Sequence, residues 1–148
     1  MAPLPDVKRT SRVRPTIQTH FHIDFNWWQM RDRDWRVFLQ SLLCLEHQQA
    51  FAELPEDQMV DFVDPLTAEV QRVDGLQHVL ITHCAKMDGF IAPHTTLVDA
   101  IFRIFLANGN IPMTPIELAQ QSGRSSDLIL RVLTGEQIYR GLRPVMEG

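Results

Sequence analysis

Two cysteines and several histidines of this chain have the spacing of ligands for a metal ion. Cys44 and His47 form a Cys-x2-His pair, which matches one half of a structural zinc site. His83 and Cys84 provide a second pair, but neighbouring residues of a helix point about 100° apart, so His78 is an alternative ligand. The sequence therefore indicates a structural zinc site of Cys44, His47, His83 and Cys84. In the alternative interpretation, both cysteines are small buried apolar side chains and the histidines lie at the surface.

Residues 16–25 alternate between apolar and polar side chains, a pattern typical of a strand with one buried face. His20, His22 and Asp24 share the polar face and could together bind a metal ion. A His-x-His pair near a strand end resembles the first metal-binding strand of amidohydrolase-type barrels. Such a barrel needs about 200 or more residues, and this chain has 148. A metal-dependent enzyme is thus the third functional hypothesis, and a polar strand facing solvent is its structural alternative.

Residues 114–134 are predicted to form two short helices joined by a three-residue turn. Thr114 can cap the first helix, Pro115 suits its first position, and Glu117 can complete a capping box with Thr114. Gly123 can adopt the left-handed backbone conformation that ends a helix. Later apolar residues then face the first helix at a spacing of three to four.

This pattern resembles the helix-turn-helix family of DNA-binding proteins. The small residue, the turn glycine and the two later apolar positions of that family fall on Ala119, Gly123, Ile129 and Val132 or Leu133. Arg124 departs from the pattern, because the family usually has an apolar residue after the glycine. The resemblance covers about one seventh of the chain. It implies a sequence-directed or auxiliary DNA-binding protein in transcription, acting as a dimer because one recognition helix gives little affinity alone.

The residues expected to contact DNA lie on the second helix of this unit and on the segment that follows it. They are Arg124, Ser125, Ser126, Arg131, Arg140 and Arg143. Arg131 could reach a guanine edge or a phosphate, and the two serines could contact phosphate from the helix N-terminus. Asp127 argues against this assignment, because its carboxylate would repel a phosphate.

The first part of the chain is predicted to hold a strand and an aromatic helix. Asn26 can start a helix that carries its tryptophans, Trp27, Trp28 and Trp35, toward a core. The charged residues 31–34 are expected to form a solvated turn, and the acidic residues 44–58 to be irregular.

Further along the chain, residues 59–63 and 69–73 are typical of a short hairpin. Asp74 can cap the next helix, and a long helix is predicted at about residues 96–107. Residues 138–145 form a predicted strand where a winged-helix domain begins its wing, although a full wing has little room there.

These elements predict an α+β fold with three parts. A flexible basic arm occupies residues 1–15, and residues 16–92 form an α+β lobe that the zinc site would staple. A helix-turn-helix unit of three helices with a short trailing strand occupies residues 93–148. We expect no secretory signal, because the first 15 residues lack an apolar segment.

The net charge of −4 is unevenly distributed along the chain. Residues 1–40 carry +3, residues 41–102 carry −8, and residues 103–148 carry +1. The acidic middle segment favours the alternative function, a protein-interaction or adaptor module that binds a basic partner without binding nucleic acid. Two cysteines without a signal peptide, and no apolar run as long as the roughly 18 residues of a membrane span, predict a cytoplasmic protein.

Overall fold

A computed structural model of the chain describes residues 14–52, 59–63, 68, 70–91 and 95–145. All of the predicted basic arm except Arg14 and Pro15 lies outside these residues. The strands are β1 (Phe21–Ile23), β2 (Met59–Val63), β3 (Val70–Asp74) and β4 (Leu142–Pro144). The helices are α1 (Phe25–Arg31), α2 (Trp35–Ser41), α3 (Leu45–Ala52), α4 (Gly75–Thr82), α5 (Leu97–Ala107), α6 (Pro115–Ser122) and α7 (Ser126–Leu133), with a 3-10 turn at Cys84–Lys86. This mixture of helices and small antiparallel sheets confirms the α+β fold class.

The first sheet pairs the beginning of the described chain with its end. Strand β1 runs antiparallel to β4, with Phe21 opposite Pro144 and Ile23 opposite Leu142. Strand β1 is shorter than the predicted strand at residues 16–25, and β4 is shorter than the predicted strand at residues 138–145. The trailing strand therefore closes onto the N-terminal segment, and it does not pair with a neighbouring wing strand among the described residues.

The loop after α5 is hydrogen-bonded to β1 through the Asn110 side chain and the Met113 backbone. The amide of Asn110 accepts a hydrogen bond from the Ile23 backbone N–H and donates one to the Ile23 carbonyl, both at 2.9 Å. Phe21 exchanges two backbone hydrogen bonds with Met113 at 2.8 and 3.0 Å. These contacts satisfy the edge of β1 that β4 does not cover.

The predicted hairpin at residues 59–63 and 69–73 is confirmed, with a shift of one residue in its second strand. Strands β2 and β3 pair antiparallel, from Met59 opposite Asp74 to Val63 opposite Val70. Asp74 then caps α4, because its carboxylate accepts hydrogen bonds from the backbone N–H groups of Leu76 and Gln77.

The first helices begin at different residues from those predicted. Asp24, and not Asn26, caps α1 by accepting a hydrogen bond from the Trp27 backbone N–H. The expectation that residues 44–58 are irregular was wrong for its first half, since α3 occupies Leu45–Ala52.

None of the helices among the described residues has the length and apolar composition that crossing a membrane requires.

Helix α5 lies at the centre of the hydrophobic core. Its buried residues are Ile101, Phe102, Ile104, Phe105 and Leu106. The Phe102 ring packs edge-on against Trp28 and Phe38, with ring centroids 5.6 and 5.7 Å apart. The same core includes Leu80, Leu118 and Leu142, so that it contains residues of both predicted units, on either side of residue 93.

Gly141 sits where the backbone before β4 crosses the start of α1. Its φ is +83°, and an added Cβ would lie 2.8 Å from the Asp24 carbonyl oxygen and 3.1 Å from the Trp28 Cβ. Gly141→Ala is therefore expected to lower the free energy of unfolding by about 2–4 kcal/mol, since left-handed strain and overpacking add. Denaturant unfolding measures this change.

Gly109→Ala is the matched control for this substitution. Gly109 has a φ of +80°, and no described atom lies within 4 Å of an added Cβ. Only the left-handed strain of about 1–2 kcal/mol should remain. Equal losses in the two variants would show that the close approach to Asp24 has no energetic effect.

Candidate metal centre and candidate DNA-binding face

The start of α3 brings Cys44 and His47 together. The Cys44 carbonyl accepts a hydrogen bond from the Gln48 backbone N–H at 2.9 Å, which places Cys44 just before the first turn of α3. Residues three apart lie on one side of a helical turn. The Cys44 Sγ is accordingly 3.1 Å from the His47 Nδ1.

His83 and Cys84 follow the end of α4 and lie beside Cys44 and His47. Helix α4 ends at Thr82, and His83 has φ −128° and ψ −64°, outside the helical region. Cys84 then begins a 3-10 turn. The two residues therefore do not continue one regular helix, and the expected divergence of neighbouring helical side chains does not apply to them.

Three of the four predicted ligands form a group that could hold a metal ion. The ligand atoms of Cys44, His47 and His83 all lie within 4.8 Å of one another. The His47 and His83 rings are 4.6 Å apart at an angle of 67°. His83, and not the alternative ligand His78, joins the group that the described residues form.

Cys84 adjoins this group from the side of the core. Its Sγ is 3.4 Å from the Cys44 Sγ and 3.6 Å from the His47 Nδ1. A disulfide bond would require about 2.05 Å, so both cysteines are free thiols. Burial raises the pKa of the Cys84 thiol to about 11, and a coordinated metal ion would act against that by stabilising the thiolate.

The second predicted metal face, on β1, is taken up by other contacts. Asp24 caps α1 and also forms an ion pair with Arg143 at 2.9 Å. His22 lies opposite Arg143 in the sheet, and burial lowers the pKa of His22, with Asp24 acting in the opposite direction. His20, His22 and Asp24 do not form a group of ligand atoms close enough to share a metal ion in the part of the chain that the structure describes.

The predicted pair of short helices is present in α6 and α7. Thr114 accepts a hydrogen bond from the Glu117 backbone N–H at 3.2 Å and donates its own N–H to the Glu117 carboxylate at 2.9 Å. This capping box lowers the pKa of the Glu117 carboxyl. Gly123 ends α6 with a φ of +74°, and Ser125 caps α7 by accepting from the Leu128 N–H. Three residues separate the helices, as predicted.

The two helices pack on each other and on α5 through apolar side chains. Leu118 of α6 and Ile129 of α7 are fully buried, and Leu133 is nearly so. Val132 is only half-buried. Of the two alternatives at the last apolar position, Leu133 is therefore the residue that enters the core.

The residues predicted to contact DNA divide into two sets. Arg124, Ser125 and Arg131 are exposed and Ser126 is half-buried, all at or within α7. Arg140 and Arg143 contact the N-terminal segment instead. Arg143 pairs with Asp24 and lies over the Trp27 ring at 5.1 Å.

Arg140 is held in the same way, over the Phe38 ring at 3.5 Å and 3.9 Å from an Asp32 carboxylate oxygen. These contacts join residues about a hundred positions apart in the chain. No local pattern could have revealed them.

Comparison of the chain with protein-family models, with curated proteins and with solved structures found no match.

Proposed function

We propose that the chain binds DNA through α7 and serves as a transcriptional regulator or auxiliary factor. One observation carries this proposal: α7 is held by its buried residues against α5 and α6, while Arg131 on its opposite face and Arg124 just before it stay exposed. A short helix that packs against the protein on one face and is exposed to solvent on the other can enter a major groove.

The exposed groups of α7 have chemistry suited to a nucleic-acid duplex. Arg131 can donate two hydrogen bonds to a guanine edge, or one to a phosphate. Arg124 precedes the N-terminus of α7, where free backbone N–H groups favour an anion such as phosphate. The exposed Asp127 would be tolerated at a base edge, since a carboxylate can accept from the cytosine amino group.

The interface that we propose comprises the exposed residues from Arg124, just before α7, to Arg131 in its last turn. Ser125 already uses its hydroxyl as a helix cap, Arg143 is paired with Asp24, and Arg140 packs over the Phe38 ring. Helix α7 has only eight residues, so one copy would make few base contacts. We therefore propose that a homodimer binds two half-sites.

Binding to random duplex DNA at about 50 and about 200 mM salt tests this proposal. Arg131→Ala is expected to weaken binding about tenfold, because one arginine contact contributes about 1–3 kcal/mol. Affinity of the unchanged protein should fall with added salt as counterions are released. Fluorescence anisotropy of a labelled duplex measures both effects.

Arg33→Ala is the control, because Arg33 is also exposed but lies between α1 and α2. It removes the same charge and should change the affinity much less than Arg131→Ala. Equal weakening by the two substitutions would contradict the assignment of α7, and DNA binding that is absent at low salt would contradict the function itself.

Exposed apolar residues favour a second candidate, a protein-interaction module. Met30, Val37 and Leu45 are 83%, 67% and 72% exposed, one at each of the successive helices α1, α2 and α3. Large apolar side chains in contact with solvent are typical of docking surfaces when they are contiguous. The acidic segment at residues 41–102 would then attract a basic partner. This candidate predicts no salt-sensitive affinity for DNA.

We further infer that Cys44, His47 and His83 hold structural zinc, with Cys84 as the fourth ligand after its sulfur moves closer to His83. Around a tetrahedral zinc ion two thiolate sulfurs lie about 3.8 Å apart, and a sulfur and a nitrogen about 3.6 Å apart. The corresponding distances among Cys44, His47 and Cys84 are 3.4, 3.1 and 3.6 Å. Zinc would tie the start of α3 to the end of α4. A reducing cytoplasm would keep both thiols available.

A further inference from the structure

A cavity separates α1 from the segment that follows α7. Its volume is about 600 Å³, and its lining includes Trp27, Val98, Val132, Ile138 and Arg140. Small-molecule sites have volumes of about 300–1,000 Å³ and combine apolar walls with a few polar groups. The apolar members come from α1, α5, α7 and the loop before β4, so the folded chain assembles a site that none of these elements has by itself.

Arg140 lines this cavity and has one donor that the described residues leave unmet. Its guanidinium lies between two rings, with its Cζ 3.5 Å from the Phe38 centroid and 5.1 Å from the Tyr139 centroid. Asp32 approaches it only to 3.9 Å. Its buried Nε has no hydrogen-bond acceptor among the described residues.

The backbone of Arg140 is strained as well. Its φ is +43°, in the left-handed region that residues other than glycine seldom adopt. Strain of this kind persists where the surrounding structure holds a side chain in place, and it is concentrated at ligand sites. The strain and the unmet donor both occur in a residue that faces the cavity.

The charges at the cavity leave it with a surplus of one positive charge. Arg31 and Arg140 both line it, against one carboxylate, that of Asp32. That carboxylate is already occupied, since it accepts hydrogen bonds from the Trp28 Nε1 at 3.0 Å and the Asp34 backbone N–H at 2.9 Å. Its single negative charge balances only one of the two guanidinium groups.

We propose that this cavity binds a small aromatic carboxylate. The ring would lie against Val98, Val132 and Ile138, and the carboxylate would accept hydrogen bonds from Arg140, whose planar fork suits it. A single negative charge matches the surplus at the cavity, whereas the nearly doubly charged phosphate of a monoester would also be repelled by Asp32. Binding at this site does not involve Arg124 or Arg131 and is independent of the proposed DNA binding.

Isothermal titration calorimetry with naphthoate, in the absence of DNA, tests the proposal. A ligand of this size with one charged contact is expected to bind with a Kd of about 0.1–1 mM. Naphthamide, the neutral isostere, and acetate, which lacks the ring, should each bind at least about tenfold more weakly, as expected when a charge-assisted contact or the apolar area is lost.

Two variants test whether naphthoate binds in this cavity. Arg140→Gln should weaken naphthoate binding about tenfold or more, in line with the loss of a charged hydrogen bond. Because Arg140 also packs between rings, Ile138→Trp provides a test that keeps this packing. Ile138 is 40% exposed and lines the cavity, so the larger side chain should occupy part of it and weaken naphthoate binding.

Ile111→Trp is the matched control, since Ile111 is 56% exposed and is not part of the cavity lining. It should leave naphthoate affinity unchanged. The proposal is overturned if folded protein shows no saturable binding of naphthoate, if naphthamide binds equally well, or if Ile138→Trp has no more effect than Ile111→Trp. Tighter binding of naphthyl phosphate than of naphthoate would overturn the assignment of a carboxylate.

Discussion

Phe102→Ala should lower the free energy of unfolding by about 3–5 kcal/mol, the range observed when a large aromatic side chain is removed from a core. Phe102 is fully buried in α5. Its ring contacts three others, those of Trp28, Phe38 and Tyr139, at centroid distances of 5.6, 5.7 and 6.1 Å. Alanine would leave a cavity among rings that are anchored on different elements, and these cannot all move inward to close it.

Urea denaturation, followed by tryptophan fluorescence, measures this effect. Phe102→Leu should cost less than Phe102→Ala, because leucine retains most of the buried apolar volume. Met30→Ala is the control for a large-to-small change at the surface, since Met30 is 83% exposed, and it should change stability by less than about 0.5 kcal/mol. A loss below about 1 kcal/mol in Phe102→Ala would show that the aromatic cluster does not organise the core as the structure indicates.

Removal of zinc is the second change with a large expected effect. The protein prepared with zinc should contain about one zinc ion per chain, held by thiolate and imidazole ligands. Free zinc at a thousand times its Kd should stabilise the fold by about 4 kcal/mol, and a strong chelator should remove that contribution. Binding displaces protons from the thiols, so the affinity should fall as the pH is lowered.

Cys44→Ser and His20→Asn separate specific from incidental zinc binding. Cys44 contacts both His47 and Cys84, and its replacement should abolish stoichiometric zinc and the stabilisation together. His20 is exposed and lies outside the group, so His20→Asn should retain both. Elemental analysis and thermal unfolding provide the two measurements. A metal-free protein whose unfolding temperature does not respond to zinc would contradict the structural zinc site.

Features of the fold that depend on a few neighbouring residues could be predicted from the sequence. The capping box of Thr114 and Glu117, the left-handed Gly123 and the cap at Asp74 are all present as predicted. Each is formed by hydrogen bonds or backbone preferences within about four residues of the chain. For the same reason, the hairpin of β2 and β3 and the two helices after Thr114 could be predicted.

Predictions failed where two local signals competed. Asp24 and Asn26 are both good helix caps, and only the position of β1 favours Asp24, which the strand places directly before α1. Helix α3 has weak apolar periodicity, so the sequence predicts an irregular acidic segment at residues 44–58 instead of a helix. Its first turn is nevertheless what sets the distance between Cys44 and His47.

The residue types and spacings of the sequence thus determined most of the helices and their caps, and which side chains could hold a metal ion. Only the tertiary structure decided that β4 pairs with β1, that Arg143 pairs with Asp24, and that Arg140 faces a cavity. Residues so far apart in the chain meet because α5 packs against both ends of the described chain within one core. That packing depends on the shape of many side chains together, whereas a helix cap depends on one or two hydrogen bonds between residues close in the sequence.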